Sequence, residues 1–449
     1  MKIRNLKSGF TLSALCVAMS AFTPSASAIT LNEAIEDAVV HNPQFRQEIK
    51  AYRAIEADVR EAKGGYYPTV DLNAGIGYEE VDRSEVGGID NTGGDGLTRK
   101  ESSINLTQNL FQGFGTQDNV ARQKYRLQAQ AHQALATANN IALEMTQAYI
   151  DLLKEQELLE LAQDNLDTHL RILDQIKKRT EAGIGNEVEL DQAEARLALA
   201  QSNLGAAKNN YQDAKAKFRR VLGRDPDNML EKPDFGFELP ETVETATDIA
   251  LTEHPQLKSA NADIAEAKMQ YKASRSNYYP RFDIEISRSI DEDINGVEGR
   301  EENLQAMLRM RYNLYNGGRD AATRKRTASQ YHESAEIRNN TRRQVIENLR
   351  YAWNANQYIT DQLQYVNRHI KMTHDTLIGY RKQFSLGRRS LLDLLNTENE
   401  YVGALQTLIT SESDRLKAQY RILSGMGILM DRLDIDYNFI DAEYTTADE

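Results

Sequence analysis

Cysteine is almost missing from this 449-residue chain; its single copy, Cys16, lies within the first 28 residues. Beyond them there is no thiol, which excludes disulfides, thiol nucleophiles and cysteine-bound metals there. Long apolar runs are missing too. Mean hydropathy is -0.61, and no stretch after residue 28 approaches the roughly 18 to 20 apolar residues of a membrane helix. The first 28 residues are different. Lys2, Arg4 and Lys7 precede an apolar run from about Phe10 to Phe22, and Ala26, Ser27 and Ala28 form a small-x-small cleavage site. That is the pattern of a secretory signal. Leu15, not a small residue, precedes Cys16, so no lipid anchor is expected.

An excess of positive charge is also lacking. The formal net charge is -13, and the leader holds three bases and no acid, so the remainder is more acidic still. Phosphate repels such a chain, and nucleic acid is not an expected partner. Catalytic constellations are absent from the pattern. The seven histidines are scattered; His369 and His374 are five apart, not the four that share a helix face. No Walker loop or dinucleotide fingerprint appears. Neither an enzyme, a cofactor nor a metal centre is expected.

What is present is alternation. After Pro68, Val70, Leu72, Ala74, Ile76 and Tyr78 are apolar, while Asp71, Asn73, Gly75, Gly77 and Glu79 are polar or bare. A strand with one oily and one wet face follows. The same pattern recurs with Ile104, Leu106 and Leu110, with Phe282, Ile284, Ile286 and Ile290, and from Leu304 through Leu308, Met310 and Tyr312 to Leu314. Arg288 interrupts the third series; it either snorkels to headgroups or marks the strand's end. Strands of this kind escape a hydropathy scan and leave a membrane β-barrel open.

The chain is written twice. Pro43 to Pro255 and Pro68 to Pro280 are each 212 residues apart; Gly113 to Gly317 and Gly183 to Gly387 are each 204 apart. Each half reads helix, strand, loop, strand, very long helix, turn, helix. Leu190, Ala193, Leu197, Ala200, Leu204, Ala207, Tyr211, Ala214, Phe218 and Val221 alternate three and four apart, a coiled-coil seam that Gly223 and Pro226 end. A second seam runs from Val345 to Phe384. No proline interrupts 113–183, and a helix of that length is about 100 Å long at about 1.5 Å per residue. The expected organisation is a signal peptide at 1–28, a first repeat at 29–247, a second at 248–430 and an acidic tail at 431–449.

Four strands cannot close a barrel, which needs about eight. An open sheet in hydrocarbon leaves edge N–H and C=O groups unpaired at several kcal/mol each. Several copies must therefore share one barrel. The duplicated plan, the Tyr-Tyr-Pro strand starts at 66–68 and 278–280, the turns "NLFQGFG" and "NLYNGGR", and two glycine-tipped helical hairpins resemble the TolC family of outer-membrane channels. The resemblance implies an α+β membrane fold: a homotrimer whose four strands per chain make a 12-stranded barrel in outer-membrane lipid, standing on an α-helical periplasmic tunnel. The strand residues Val70, Leu72, Ala74, Ile76, Ile104, Leu106, Phe282, Ile284, Ile286, Leu308 and Met310 would face the lipid. It implies an exit duct that docks to a periplasmic adaptor and an inner-membrane transporter. The tip sequence "AGIGNEVELDQAEARLALAQSNL" is more similar to type I protein-secretion members, which work with an ABC exporter, and among them to exporters of large adhesins. Drug efflux is the alternative; a soluble periplasmic coiled-coil scaffold is the rival of another class.

The resemblance also implies sites. Glu189 and Asp393, each six residues past a tip glycine, match acids that close the periplasmic mouth, and Arg389 matches a gate arginine that could bridge to Glu189. Phe384 stands where the family has a gate tyrosine, and Asn396 where it has a second aspartate. Both acids also sit at capping-box spacing from Asn186 and Ser390, so a purely local role stays open. Gly183, Ile184 and Gly185, with Leu386, Gly387 and Arg388, resemble adaptor-docking tips. The segment 291–302 fits a calcium-loop spacing at Asp291, Asp293, Asn295, Gly296 and Glu302, but strands flank it and Glu298 occupies an apolar position; an exposed acidic hairpin loop is expected. Tyr66, Tyr67, Tyr278, Tyr279, Phe111 and Tyr315 suit an interfacial girdle or packing at the strand-helix junction.

Overall fold

The duplication is visible element by element in a computed structural model, which describes residues 29–81, 96–226 and 230–435. Residues 1–28, expected to be a signal segment, most of the 80–100 loop and residues 436–449 of the expected acidic tail lie outside the described residues. The first half runs α1 (Leu31–His41), α2 (Pro43–Gly64), β1 (Thr69–Glu79), β2 (Leu97–Gln112), α3 (Gly115–Glu181) and α4 (Glu187–Leu222). The second runs α5 (Val243–Glu253), α6 (Pro255–Ala273), β3 (Arg281–Glu292), β4 (Arg300–Arg311), α7 (Arg319–Ser385) and α8 (Leu391–Met426), with a short α9 (Leu429–Arg432) at the end. The long helices have 67 residues in both halves and their partners 36 in both. The boundary drawn at 247/248 falls inside α5.

The four strands form one antiparallel sheet in the order β1-β2-β3-β4. Its register puts Val70 opposite Leu106, Leu106 opposite Ile286 and Ile286 opposite Ala306. Leu72, Ile104, Arg288 and Leu304 form the next row. Directly paired residues share a face, so all eleven strand residues singled out above lie on one side of the sheet. That side is bare: Leu72 is 77% exposed and Leu308 67%. The other side is polar. There Asp283 is buried and accepts from Asn109 (2.8 Å), while Arg281 (2.8 Å) and Arg311 (2.7 Å) pair with it; Arg309 reaches Glu285 at 2.7 Å.

One open choice is settled and two strand expectations need correction. β3 does not stop at Arg288 but continues to Glu292, with Arg288 pairing to Glu302 (3.3 Å). β4 ends at Arg311, so Tyr312 and Leu314 are outside it; the Asn313 side chain accepts from the Tyr315 N–H (3.0 Å) and begins the turn into α7. In β2 the ladder slips between Asn109 and Phe111, so Leu110 is the extra residue of a bulge and Phe111 takes its place opposite Phe282.

Below the sheet the helices form a row. Near the strands α3 packs between α2 and α6, and α6 leads to α7; near the hairpin tips α3 packs between α4 and α8, and α8 leads to α7. The main core sits midway along the long helices, where α1, α5 and the ends of α4 and α8 gather around Tyr149, Phe218 and Tyr420. The Tyr149 hydroxyl donates toward the carbonyls of Ile29 (2.8 Å) and Glu231 (2.7 Å), pinning two connecting segments to α3. Both seams are realised: Ala193, Ala200, Leu204, Ala214 and Phe218 are buried on α4, and Val345, Leu349, Leu363, Val366 and Leu377 on α7.

Candidate functional site

Two places combine exposure with unusual chemistry: the sheet and the hairpin tips. At the base of the sheet the chain turns from strand to helix through Gly113 (φ +56°), where a Cβ would come within 2.5 Å of the Ser276 carbonyl oxygen. Only glycine allows this approach. Phe111, Phe114 and Tyr279 cluster beside it with ring centroids 5.3 to 6.3 Å apart. Junction packing therefore accounts for Phe111 and part of Tyr279, whereas Tyr67 and Tyr315 are 70% and 83% exposed.

The two tips are copies. Gly183 (φ +75°) and Gly387 (φ +71°) take the left-handed turn. The Ile184 N–H donates to the Arg179 carbonyl (3.1 Å) and the Arg388 N–H to the Gln383 carbonyl (2.9 Å), the closing bond of a Schellman motif in both cases. Ile184 and Leu386 project from the tips, 73% and 68% exposed. Each second helix then starts on a side-chain cap: Asn186 accepts from the Val188 N–H (3.1 Å), and Ser390 from the Asp393 N–H (3.2 Å). The local role of Asp393 is thus real. Hydrogen bonding from Ser390, then the Arg389 charge, hold its carboxyl below the usual range, so it is ionised at neutral pH.

Arg389 does not bridge to Glu189. It lies over the Tyr380 ring at 4.4 Å and 3.5 Å from Asp393, all within its own hairpin. The two hairpins are joined elsewhere. Phe384 is buried among Ile172, Ile176, Ala193, Leu377, Leu391, Leu394 and Leu395, which come from both hairpins, and the Arg179 guanidinium lies 5.0 Å from its ring centroid. Asn396 accepts from Arg196 of α4 at 3.0 Å. Behind this apolar plug stands a polar layer. Glu398 is buried and receives Arg381 through both carboxylate oxygens (2.8 and 2.7 Å). Burial pushes the buried His169 imidazole below its ordinary range, the Glu398 carboxylate opposing and Arg196 reinforcing the shift.

Arg179, Arg196, Arg381 and Glu398 were not singled out from sequence. One signal was available: Glu398 stands seven residues after Leu391, a charge in the buried phase of α8, and such a charge needs a partner. The calcium-like segment forms the β3–β4 loop. The Asp293 carboxylate there accepts from the Gly299 N–H (2.9 Å), and Glu79 holds the Asn295 N–H (2.8 Å). Asp293 thus serves its own turn.

The sequence matches the family model described as outer membrane efflux protein over residues 34–224 and again over 246–427, once per repeat. Outer membrane efflux protein BepC of Brucella suis is 24% identical over 89% of this chain and 85% of its own length. Alkaline protease secretion protein AprF of Pseudomonas aeruginosa is 22% identical over 93% and 89%; outer membrane protein TolC of Escherichia coli is 21% identical over 92% and 85%. In fold, the crystal structure of CusC is similar with a TM-score of 0.79 at 15% identity, over 88% of this chain and 91% of that one. With barrel-type strands and a helical tunnel wall in the same duplicated order, the chain belongs to the outer membrane efflux protein family, and it is an outer-membrane exit duct of the TolC type.

Proposed function

We propose that the duct acts as a homotrimer that carries protein cargo, a large adhesin, in a type I secretion system, with a periplasmic adaptor at its hairpin tips and an inner-membrane ABC exporter beyond it. The trimer is supported by the sheet. Among the described residues nothing pairs with the outer edges of β1 or β4, and three copies of four strands make a barrel of 12. The apolar side of the sheet then faces lipid and the polar side, with Asp283, Glu285, Arg309 and Arg311, faces the lumen. At the other end Ile184, Gly185, Gly183, Leu386, Gly387 and Arg388 offer an exposed, partly apolar docking edge. Glu189 and Asp393, repeated around a threefold axis, would line the mouth with carboxylates.

The cargo reading is carried by one observation: AprF, which aligns along 93% of this chain, is named for secretion of a protease. BepC is named for efflux, which favours small molecules as the second reading. A deletion strain separates them. Loss of a large protein from the culture supernatant, measured by mass spectrometry, with unchanged susceptibility to dyes and antibiotics is the expected result. An intact secretome with raised drug sensitivity would transfer the assignment to efflux.

A further inference from the structure

Beneath the sheet, three helices of one chain leave a gap. One face of α2 carries Asp58, Glu61 and Gly65, and one face of α3 carries Thr116, Asn119 and Gln123, each set at three- or four-residue spacing. A seam would need Leu or Ile at such positions; small and polar side chains stand there instead. Ser276, just past the end of α6, closes the third side. The result is a cavity of about 550 Å³. Its roof is the base of the barrel. Gln112 lines the cavity and stands opposite Arg281 in the ladder, and Arg281 shares the polar side of the sheet with Asp283. The cavity therefore opens toward the lumen.

The charge in it has one sign. Asp58 and Glu61 are carboxylates, and no lysine, arginine or histidine is among the described residues that line it. Asp58 gives one oxygen to Arg126 (3.1 Å) and keeps the other. Glu61 has no hydrogen bond or ion pair among the described residues. Gln123 is only 9% exposed, and its Oε1 has no hydrogen-bond partner. A buried acceptor without a donor is rare and calls for one. The hydroxyls of Thr116 and Ser276 complete a set of acceptors that surrounds the space.

Such a set repels an anion, and an apolar solute finds few carbons there besides Ala62 and Ala273. A metal ion needs several converging carboxylate or imidazole ligands, and no such group exists among the described residues. A primary ammonium fits: it has three donors, no acceptor and a full positive charge. We infer that this cavity binds the primary ammonium group of an aliphatic amine in the lumen, with Glu61 and Asp58 supplying the charge and Gln123 a buried acceptor. The level above favours a halt here, because Arg281, Arg309 and Arg311 stand there against only Asp283 and Glu285. One chain forms the whole cavity, so the inference needs neither the cargo assignment nor the number of copies; it uses only the sidedness of the sheet. Exposed ion pairs are weak, and a dissociation constant on the order of millimolar is expected, which suits a wall that must release what passes.

Saturation-transfer NMR on the detergent-purified protein reads binding this weak. The probes are cadaverine, diacetylcadaverine, N-acetylated Gly-Lys-Gly and the same peptide with its lysine side chain acetylated. Saturation should pass to cadaverine and not to diacetylcadaverine. Glu61→Gln removes a charge-assisted bond and should weaken binding about tenfold or more. Glu61→Lys seats a tethered ammonium in the cavity and should abolish binding. Glu333→Gln, which neutralises an exposed carboxylate on α7, tests general acidity and should bind like the parent. Glu61 is exposed, so its variants should fold, and melting curves check this. Transfer to the lysine peptide but not to its acetylated form would assign the site to side chains of passing protein; transfer to cadaverine alone would assign it to small amines. No transfer to cadaverine, unweakened binding in Glu61→Gln, or an equal loss in Glu333→Gln overturns the inference.

Discussion

The guanidinium of Arg179 lies 5.0 Å from the ring centroid of Phe384, joining α3 of the first repeat to α7 of the second just above the hairpin tips. The ring is otherwise buried in apolar contacts drawn from both hairpins. A guanidinium over an aromatic face contributes about 0.5–2 kcal/mol, more as water is removed. The family resemblance puts a tyrosine at this position, so the contact here is made by the face of the ring without a hydroxyl. Since Arg389 turns to Tyr380 and Asp393 on its own hairpin, Arg179 and Arg196 are the cations that tie the hairpins together at this level.

Loosening that tie is expected to open the mouth. In planar bilayers Arg179→Gln and Phe384→Ala should each raise single-channel conductance, and Phe384→Tyr, which keeps the ring face, should leave it near the starting value. Equal conductance in all four proteins would show that the contact is incidental to closure.

Glu398 makes a second prediction, about stability. Its carboxylate is buried and held at 2.8 and 2.7 Å by an arginine that is itself half exposed. Removing the partner alone strands a buried charge, which typically costs about 3–5 kcal/mol, whereas replacing both by apolar groups is often near neutral. Arg381→Ala should therefore lower the melting temperature markedly. Arg381→Ala with Glu398→Leu should recover most of the loss. If the double variant melts below the single one, the carboxylate has other partners that matter more.

These two contacts also mark what the sequence could and could not reveal. Periods of two and of three-and-a-half residues are one-dimensional signals, so the strand faces, both seams and the duplicated tips were readable from residues such as Leu72, Leu204 and Gly387. The bulge at Leu110 was not, because a slipped ladder depends on the partner strand. Nor was the fate of Arg389. A long side chain at a turn has several anions and rings within reach, and only the packed hairpin decides that Tyr380 and Asp393 win over Glu189.

The sheet predicts a sidedness test. Leu72 sits near the middle of β1 on the exposed apolar side, and Asn73 beside it points to the polar side. An arginine on the lipid side of a barrel costs about 2–4 kcal/mol at mid-membrane, and three copies multiply the burden. Leu72→Arg should deplete the protein from carbonate-washed outer membranes, while Asn73→Arg should leave its level unchanged. Equal depletion would mean that the two sides of the sheet are not lipid and lumen.

Acid sensitivity can be traced to one helix start. His254 caps α6 as Asn42 caps α2, each just before a proline: the Asn42 side chain accepts from the Gln44 N–H (2.8 Å), and the His254 Nδ1 from the Gln256 N–H (3.3 Å). Accepting requires a neutral imidazole, and burial pushes the His254 pKa down to about 4 from 6.5. Above about pH 7.5 the ring is neutral in the folded and unfolded chains alike, so it confers no pH dependence there. As pH falls from 6.5 toward 4, the unfolded chain takes up the proton first and stability drops, by about 3 kcal/mol per chain at the limit. His254→Asn installs the cap of the first repeat without a titrating group. Melting temperatures of the two proteins in the same detergent should coincide near pH 7.5 and diverge between pH 6 and 4.5, the variant being the more stable; parallel curves across that range would place the acid-sensitive group elsewhere.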